Sequence, residues 1–256
     1  MSKVRNNWLL QLLDVVFLPF LYVADWGKKL VNYNVTKNIS FFLRVNSSDK
    51  LAVMETWKCH VYDKFVIKPD FIIVDIGAHI GAFSIYSSKK ANKGKVFSYE
   101  ANIDNFEILK KNKILNSCNN LEIYNLAVAG KTGFIKFYNN KNGALSSMYS
   151  NGGKALRLPC TSMADIFISN KIKNVNLMKI DIEGGEYEVL FNTPVNIFKK
   201  IFRIEMEYHE LMESNNKAED LIVFLKNMGY KVVKHGSSIQ RILFGTGYIS
   251  AERIKI

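Results

Sequence analysis

Two groups of residues in this 256-residue chain have types and spacing suited to chemistry. The first is Asp75-Ile76-Gly77-Ala78-His79-Ile80-Gly81, directly after the apolar run Phe71-Ile72-Ile73-Val74. A buried strand, a turn with two glycines four apart and then a helical pattern make a cradle for a small ligand. Gly77 and Gly81 are expected to remove side chains where the backbone turns sharply and approaches that ligand. The free N–H groups that open a helix would favour negative charge or carbonyl-like oxygen. The dinucleotide fingerprint G-x-G-x-x-G is not met, because His79 stands at its second glycine, so a pyrophosphate has lost its closest approach point. Glu100, 23 residues past Gly77, ends the next strand-like run, where an acid can hold two ribose hydroxyls.

The second group is Lys179-Ile180-Asp181-Ile182-Glu183-Gly184-Gly185-Glu186 together with Glu205-Met206-Glu207-Tyr208-His209. Both segments end strand-like runs, and alternation places Glu205, Glu207 and His209 on one face. Ionisable groups on a buried strand are costly without a partner or a task. Their chemistry would be proton removal. His209 is the expected base, because an imidazole titrates near neutral pH, and a carboxylate raised by its neighbours is the second candidate. A divalent cation held by Asp181, Glu183 and Glu207 is the alternative. Metal-free chemistry is the first reading, since spacing alone fixes no ligand set.

The elements that must position these groups alternate from residue 71 onward. Strands are expected at Phe71–Asp75, Lys95–Tyr99, Leu121–Val128, Asn176–Asp181, Phe202–Glu207, Tyr230–Lys234 and Tyr248–Ala251. Helices are expected at Ile80–Lys90, Asp104–Leu115 and Ala218–Met228, the second burying Phe106, Leu109, Ile114 and Leu115. This pattern is α/β: a Rossmann-like, doubly wound, mostly parallel seven-stranded sheet. Glycines at 130, 133, 143, 152 and 153 punctuate short alternating runs, read as an inserted β-hairpin followed by a loop placed to act as a substrate lid. The expected division is an N-terminal helical extension, 1–69, and a catalytic domain, 70–256.

Within the extension, Trp8 to Ala24 is mostly apolar, but Gln11, Asp14 and Pro19 interrupt it short of the roughly 20 residues that span a bilayer. It reads as a helix packed on the domain or on a second copy of the chain; the alternative is a helix lying on a membrane surface. Ile39–Val45 is expected as a strand and Leu51–Lys64 as a helix.

The net charge is +12. Such a balance suits acidic partners, but six of the 35 basic residues are Arg, the usual reader of bases and phosphate forks. Specific nucleic-acid recognition is therefore not expected. Cys59, Cys118 and Cys160 form no C-x-x-C pair, which excludes the common zinc and redox motifs and suits a reducing, cytoplasmic setting, membrane-peripheral under the alternative for residues 1–30.

In order along the chain, Val74-Asp75-Ile76-Gly77-Ala78, Ser98-Tyr99-Glu100-Ala101 with Asn105-Phe106, Asn125-Leu126-Ala127-Val128, Lys179-Ile180-Asp181-Ile182-Glu183-Gly184 and Glu207-x-His209 resemble the FkbM family of methyltransferases. The likeness covers roughly residues 70 to 210. Ala101 departs from the family's usual Pro. The resemblance implies S-adenosylmethionine as cofactor and O-methylation of a hydroxyl on a small molecule or glycan. It implies that Asp75, Gly77, Ala78, His79 and Gly81 line the methionine side, that Glu100 holds the ribose and that Ala127 lies beside the adenine. Asp181, Glu183, Glu207 and His209 would face the reacting methyl, and Asn105 would brace the loop after Glu100. The rival readings are an NAD-type nucleotide-dependent enzyme and a non-enzymatic, membrane-associated binding protein.

Overall fold

The structure, a computed structural model, describes residues 30–59, 65–139, 154–210, 217–235 and 245–254. An antiparallel hairpin, β1 (Leu30–Thr36) and β2 (Ile39–Arg44), leads into α1 (Asp49–Trp57). Strands and helices then alternate through β3 (Ile72–Ile76), α2 (Ala82–Lys90), β4 (Lys95–Tyr99), α3 (Ile103–Leu115) and β5 (Leu121–Tyr124). A three-stranded sheet follows, from β6 (Ala127–Ala129), β7 (Gly133–Asn139) and β8 (Lys154–Ser162). The chain closes with α4 (Met163–Ser169), β9 (Leu177–Ile180), α5 (Glu186–Phe191), α6 (Val195–Phe198), β10 (Arg203–His209), α7 (Ala218–Asn227), β11 (Tyr230–His235) and β12 (Thr246–Arg253).

The main sheet has seven strands in the order β11-β12-β10-β9-β3-β4-β5, with β12 antiparallel to both its neighbours. Strands β10, β9, β3, β4 and β5 run parallel to one another. Ile73, Val74, Asp75 and Ile76 are wholly buried, as the continuous apolar run of a central parallel strand requires. Connections leave β3 toward β4 on one side, and β9 flanks it on the other, so a crevice opens at the carboxyl ends of these strands. The expected fold class is the one observed, with β7 and β8 as the inserted hairpin. The loop at 140–153 lies outside the described residues.

Three details differ from expectation. The run Leu121–Val128 is two strands, because the Asn125 side chain donates to the carbonyls of Glu100, at 2.8 Å, and Ala101, at 3.2 Å. That anchor turns the chain, and β6 pairs with β8 in the small sheet. The buried face of α3 carries Asn105, Ile108, Leu109 and Asn112, while Ile114 is 71% exposed. Asn105 is buried against Glu100 and Arg44, and the asparagines farther along complete an edge strand. Asn112 bonds the N–H and C=O of Phe42, and Asn116, just past the helix, bonds those of Ser40. Buried backbone groups on an edge need such partners.

The third difference is the extension, expected to be helical apart from a strand at Ile39–Val45. That strand is β2, but it pairs with β1 in a hairpin that does not stand apart, and the helix expected at Leu51–Lys64 is Asp49–Trp57. Phe41, Leu43 and Val53 share one hydrophobic cluster with Ile73, Ile80, Phe83 and Ile85. Complete burial of a side chain such as Phe41 contributes about 1.5–3 kcal/mol. The Trp8–Ala24 run, and with it the expected membrane or subunit contact, lies outside the described residues. Among the described residues, no helix is long and apolar enough to cross a membrane.

Candidate active site

A cavity of about 260 Å³ opens at the carboxyl ends of β3, β4, β9 and β10. One end is lined by Gly77, Ala78, His79, Glu100 and Ala127, the other by Lys179, Asp181, Glu183 and Glu207. Leu51, Ala52, Glu55 and Thr56 of α1 form a further wall.

At the first end, the turn after β3 is held by the end of β4. The N–H groups of Gly77 and Ala78 both donate to the Tyr99 carbonyl at 3.0 Å, and that of His79 donates to Glu100 Oε2 at 2.7 Å. Glu100 Oε1 accepts from the Asn102 N–H at 2.9 Å and from Asn105 Nδ2 at 3.3 Å. With these N–H groups committed to protein, the turn does not offer the anion cradle of a dinucleotide site, which argues against the NAD-type reading. Glu100 is left as an oriented acceptor on the cavity wall, suited to a ribose diol. Burial raises its pKa, against the pull of the bonds it accepts from Asn102, His79 and Asn105.

The two glycines make room for protein rather than ligand. A Cβ on Gly77 would sit 1.7 Å from the Asp181 carbonyl oxygen, and one on Gly81 would sit 2.4 Å from Leu109 Cδ1. Asp75 is wholly buried behind the cradle, where it accepts from Ser84 Oγ at 2.6 Å and pairs with Lys179 at 3.6 Å. Asp75 and Gly81 therefore build the cradle without lining the cavity.

Lys179 joins the two ends. Its ammonium donates to the Gly77 carbonyl at 2.8 Å and pairs with Asp181 at 3.2 Å as well as with Asp75. Burial works against ionising Asp181, but Lys179 and then His209 outweigh it and hold this carboxyl below the ordinary range.

At the acidic end, His209 lies between two carboxylates. Its Nδ1 is 3.1 Å from Glu186 Oε1 and its Nε2 is 3.3 Å from Glu183 Oε2. Glu186 is fully buried, and the same oxygen accepts from the N–H groups of Ile182 and Gly184. Burial disfavours the imidazolium, but Glu186, Glu183 and Glu207 overcome that cost and raise the His209 pKa to about 10. That shift favours the imidazolium at neutral pH and weighs against His209 as the base expected from its residue type. His209 also stands behind Glu183 rather than on the cavity wall.

Burial, then the neighbouring Asp181 and Glu186, raise Glu183 to about 7 against the pull of His209. Burial, then Asp181, Glu183 and Glu55, raise Glu207 to about 8, again against His209. Among the described residues Glu207 makes no hydrogen bond or ion pair, so its carboxyl faces the cavity uncommitted. Glu205, expected on the same face, is tied to Arg203 and Ser250 farther down the strand. Donor atoms of Asp181, Glu183 and His209 lie within 4.8 Å of one another, a spacing that would admit a divalent cation. Here the imidazolium itself supplies positive charge between the acids.

The fold thus gathers Gly77, Ala78, His79, Glu100, Ala127, Asp181, Glu183 and Glu207 around one cavity, and sets Asp75, Gly81 and His209 behind it. Lys179 and Glu186 belong to the same motif as Asp181 and Glu183, and a lysine inside a buried strand is the sequence signal for the first. Arg44, Asp49 and the α1 wall carry no motif, and only the folded chain brings them to the site.

A Rossmann-like sheet of this strand order, with an acid-ended second strand and a glycine turn whose N–H groups are taken up by protein, suits a nucleoside cofactor without a pyrophosphate. The sequence pattern of the methyltransferase FkbM domain matches residues 75–232, and the chain belongs to that family. S-adenosylmethionine is its cofactor, and the cavity lining fits it: Glu100 would hold the ribose, and the small Ala127 lines the same wall. "Methyltransferase 1" of Beauveria bassiana (strain ARSEF 2860) is 23% identical over 155 residues, 52% of this chain and 61% of that relative's length. Among solved structures, a transferase from Pyrococcus horikoshii superposes with a TM-score of 0.51 at 17% identity, covering 88% of this chain and 71% of that one. TYW2 of M. jannaschii, solved in complex with AdoMet, gives a TM-score of 0.47 at 16% identity over 91% of this chain and 90% of that one.

Proposed function

We propose that this methyltransferase acts on a hydroxyl of a small molecule or glycan, with Glu207 as the group that takes the hydroxyl proton. One observation carries the reading: an uncommitted carboxyl, raised toward neutral pH, shares a single cavity with the cofactor cradle. Bound S-adenosylmethionine supplies an electrophilic methyl group. The chain's part is to align the acceptor and accept its proton. Alignment can lower the barrier by about 7–11 kcal/mol, and base assistance adds a factor of roughly 10² to 10⁴. Glu183, steadied by His209, is placed to hold a second hydroxyl of the same acceptor.

The test is mass spectrometry of small-molecule and glycan extracts incubated with enzyme and cofactor. The expected product gains one CH2 as an ether-linked methyl. Gain confined to amines or carboxylates would overturn the hydroxyl assignment. Thermal stabilisation by NAD in place of S-adenosylhomocysteine would restore the NAD-type alternative.

A further inference from the structure

We infer that Arg44, which precedes the family-matched region, is a positioning residue for cofactor binding that acts by holding both supports of Glu100. Its guanidinium forks onto Asp49, with Nε 3.0 Å from Oδ2 and Nη2 2.7 Å from Oδ1. The same Nη2 donates to Asn105 Oδ1 at 2.7 Å and lies 3.3 Å from His79 Nε2.

Each contact has a consequence at Glu100. A guanidinium has donors and no acceptor, so the atom of Asn105 that faces it must be the oxygen. The Asn105 amide nitrogen is thereby turned to Glu100 Oε1. His79 Nε2 lies 3.3 Å from the same Nη2 and 3.4 Å from Asp49 Oδ1, so the ring is seated against the Arg44–Asp49 pair; burial, the largest influence on this ring, favours its neutral form. His79 holds a left-handed backbone, with φ of 51°, and its main-chain N–H orients Glu100 Oε2. One guanidinium therefore restrains the two residues that aim the two oxygens of Glu100. Through buried Asp49 it also fixes the first turn of α1, whose Leu51 and Ala52 line the cavity. Preorganisation of this kind raises affinity without a direct contact.

The experiment is calorimetric titration of the full chain with S-adenosylhomocysteine, using Arg44→Gln, Arg44→Lys, Glu100→Gln and the double variant Arg44→Gln/Glu100→Gln. Arg44→Gln is expected to weaken binding on the order of tenfold. Arg44→Lys is not expected to restore it, since an ammonium cannot reproduce the fork. In the Glu100→Gln background the effect of Arg44→Gln should largely vanish, because it acts through Glu100. An effect of the same size with and without Glu100, or a lowered melting temperature with unchanged affinity, would show a purely structural tie and overturn the proposal. If Arg44→Gln does not fold, Asn105→Ala, which leaves the Arg44–Asp49 pair intact, decides: weakened binding supports the proposal and unchanged binding overturns it.

Discussion

The main-chain N–H of His79 donates to Oε2 of Glu100 across 2.7 Å, binding the turn after β3 to the end of β4. The acid that would hold the cofactor ribose therefore also shapes the cradle. Glu100→Ala should weaken S-adenosylhomocysteine binding by about ten- to a hundredfold, as hydrogen bonds to a charged group contribute about 1.5–3 kcal/mol. It should also lower the melting temperature, because the N–H groups of His79 and Asn102 lose their acceptor. Calorimetric titration with unchanged affinity would refute the ribose assignment.

A base must be ionised to accept a proton. Glu207 is raised to about 8 by burial and by Asp181, Glu183 and Glu55. Turnover should therefore climb as pH rises through about 8. It should fall again as His209 loses its proton near 10 and its hold on Glu183 is released. Glu207→Gln should lower kcat by roughly 10² to 10⁴ with little change in cofactor affinity. A pH–rate profile flat from roughly pH 6 to 9 would remove Glu207 from the role.

Two glycines with left-handed backbones separate close packing from backbone freedom. Gly77, φ 80°, has the Asp181 carbonyl where a Cβ would go, whereas Gly229, φ 87°, has nothing within 4 Å. Gly229→Ala should cost about 1–2 kcal/mol, the strain of a left-handed residue. Gly77→Ala adds overpacking of about 1–3 kcal/mol or more and must part β3 from β9. Thermal melts should rank the two variants in that order.

What could be read before folding follows from period and local chemistry. The Phe71–Val74 run, the alternation through β10 and the acids at strand ends depend on a few neighbouring residues, and the sheet and most of the cavity lining follow from them. The face of α3 did not, because Asn112 and Asn116 are buried to serve β2, some 70 residues earlier. Nor did the role of His209. An isolated imidazole suggests a base, and only its placement between Glu186 and Glu183 favours the cation. The glycine turn is legible from its spacing, but its cause is not: the end of β9 and α3 fill the space a Cβ would need.

Asp181, Glu183 and His209 could in principle receive a metal, so removing metal is a direct test. With Lys179 and protonated His209 already set among the acids, the chemistry should proceed without one. Activity should survive treatment with EDTA followed by gel filtration. Loss of activity that added Mg²⁺ or Mn²⁺ restores would reassign these residues as ligands and His209 as a neutral donor.

The His209–Glu186 pair also sets a pH window for stability. The folded-state pKa of His209, about 10, lies above its ordinary 6.5. Its stabilising effect is therefore complete below pH 6.5 and is lost as pH rises through 10, by at most about 1.4 kcal/mol per pH unit. The melting temperature should decline across that window. Glu186→Gln keeps an oxygen for the Ile182 and Gly184 N–H groups but removes the charge that most favours the imidazolium. This variant should be less stable than the parent near neutral pH and should show a shallower decline on the alkaline side. Parallel declines in the two proteins, measured by calorimetry in matched buffers, would mean that His209 is not held as a cation by Glu186.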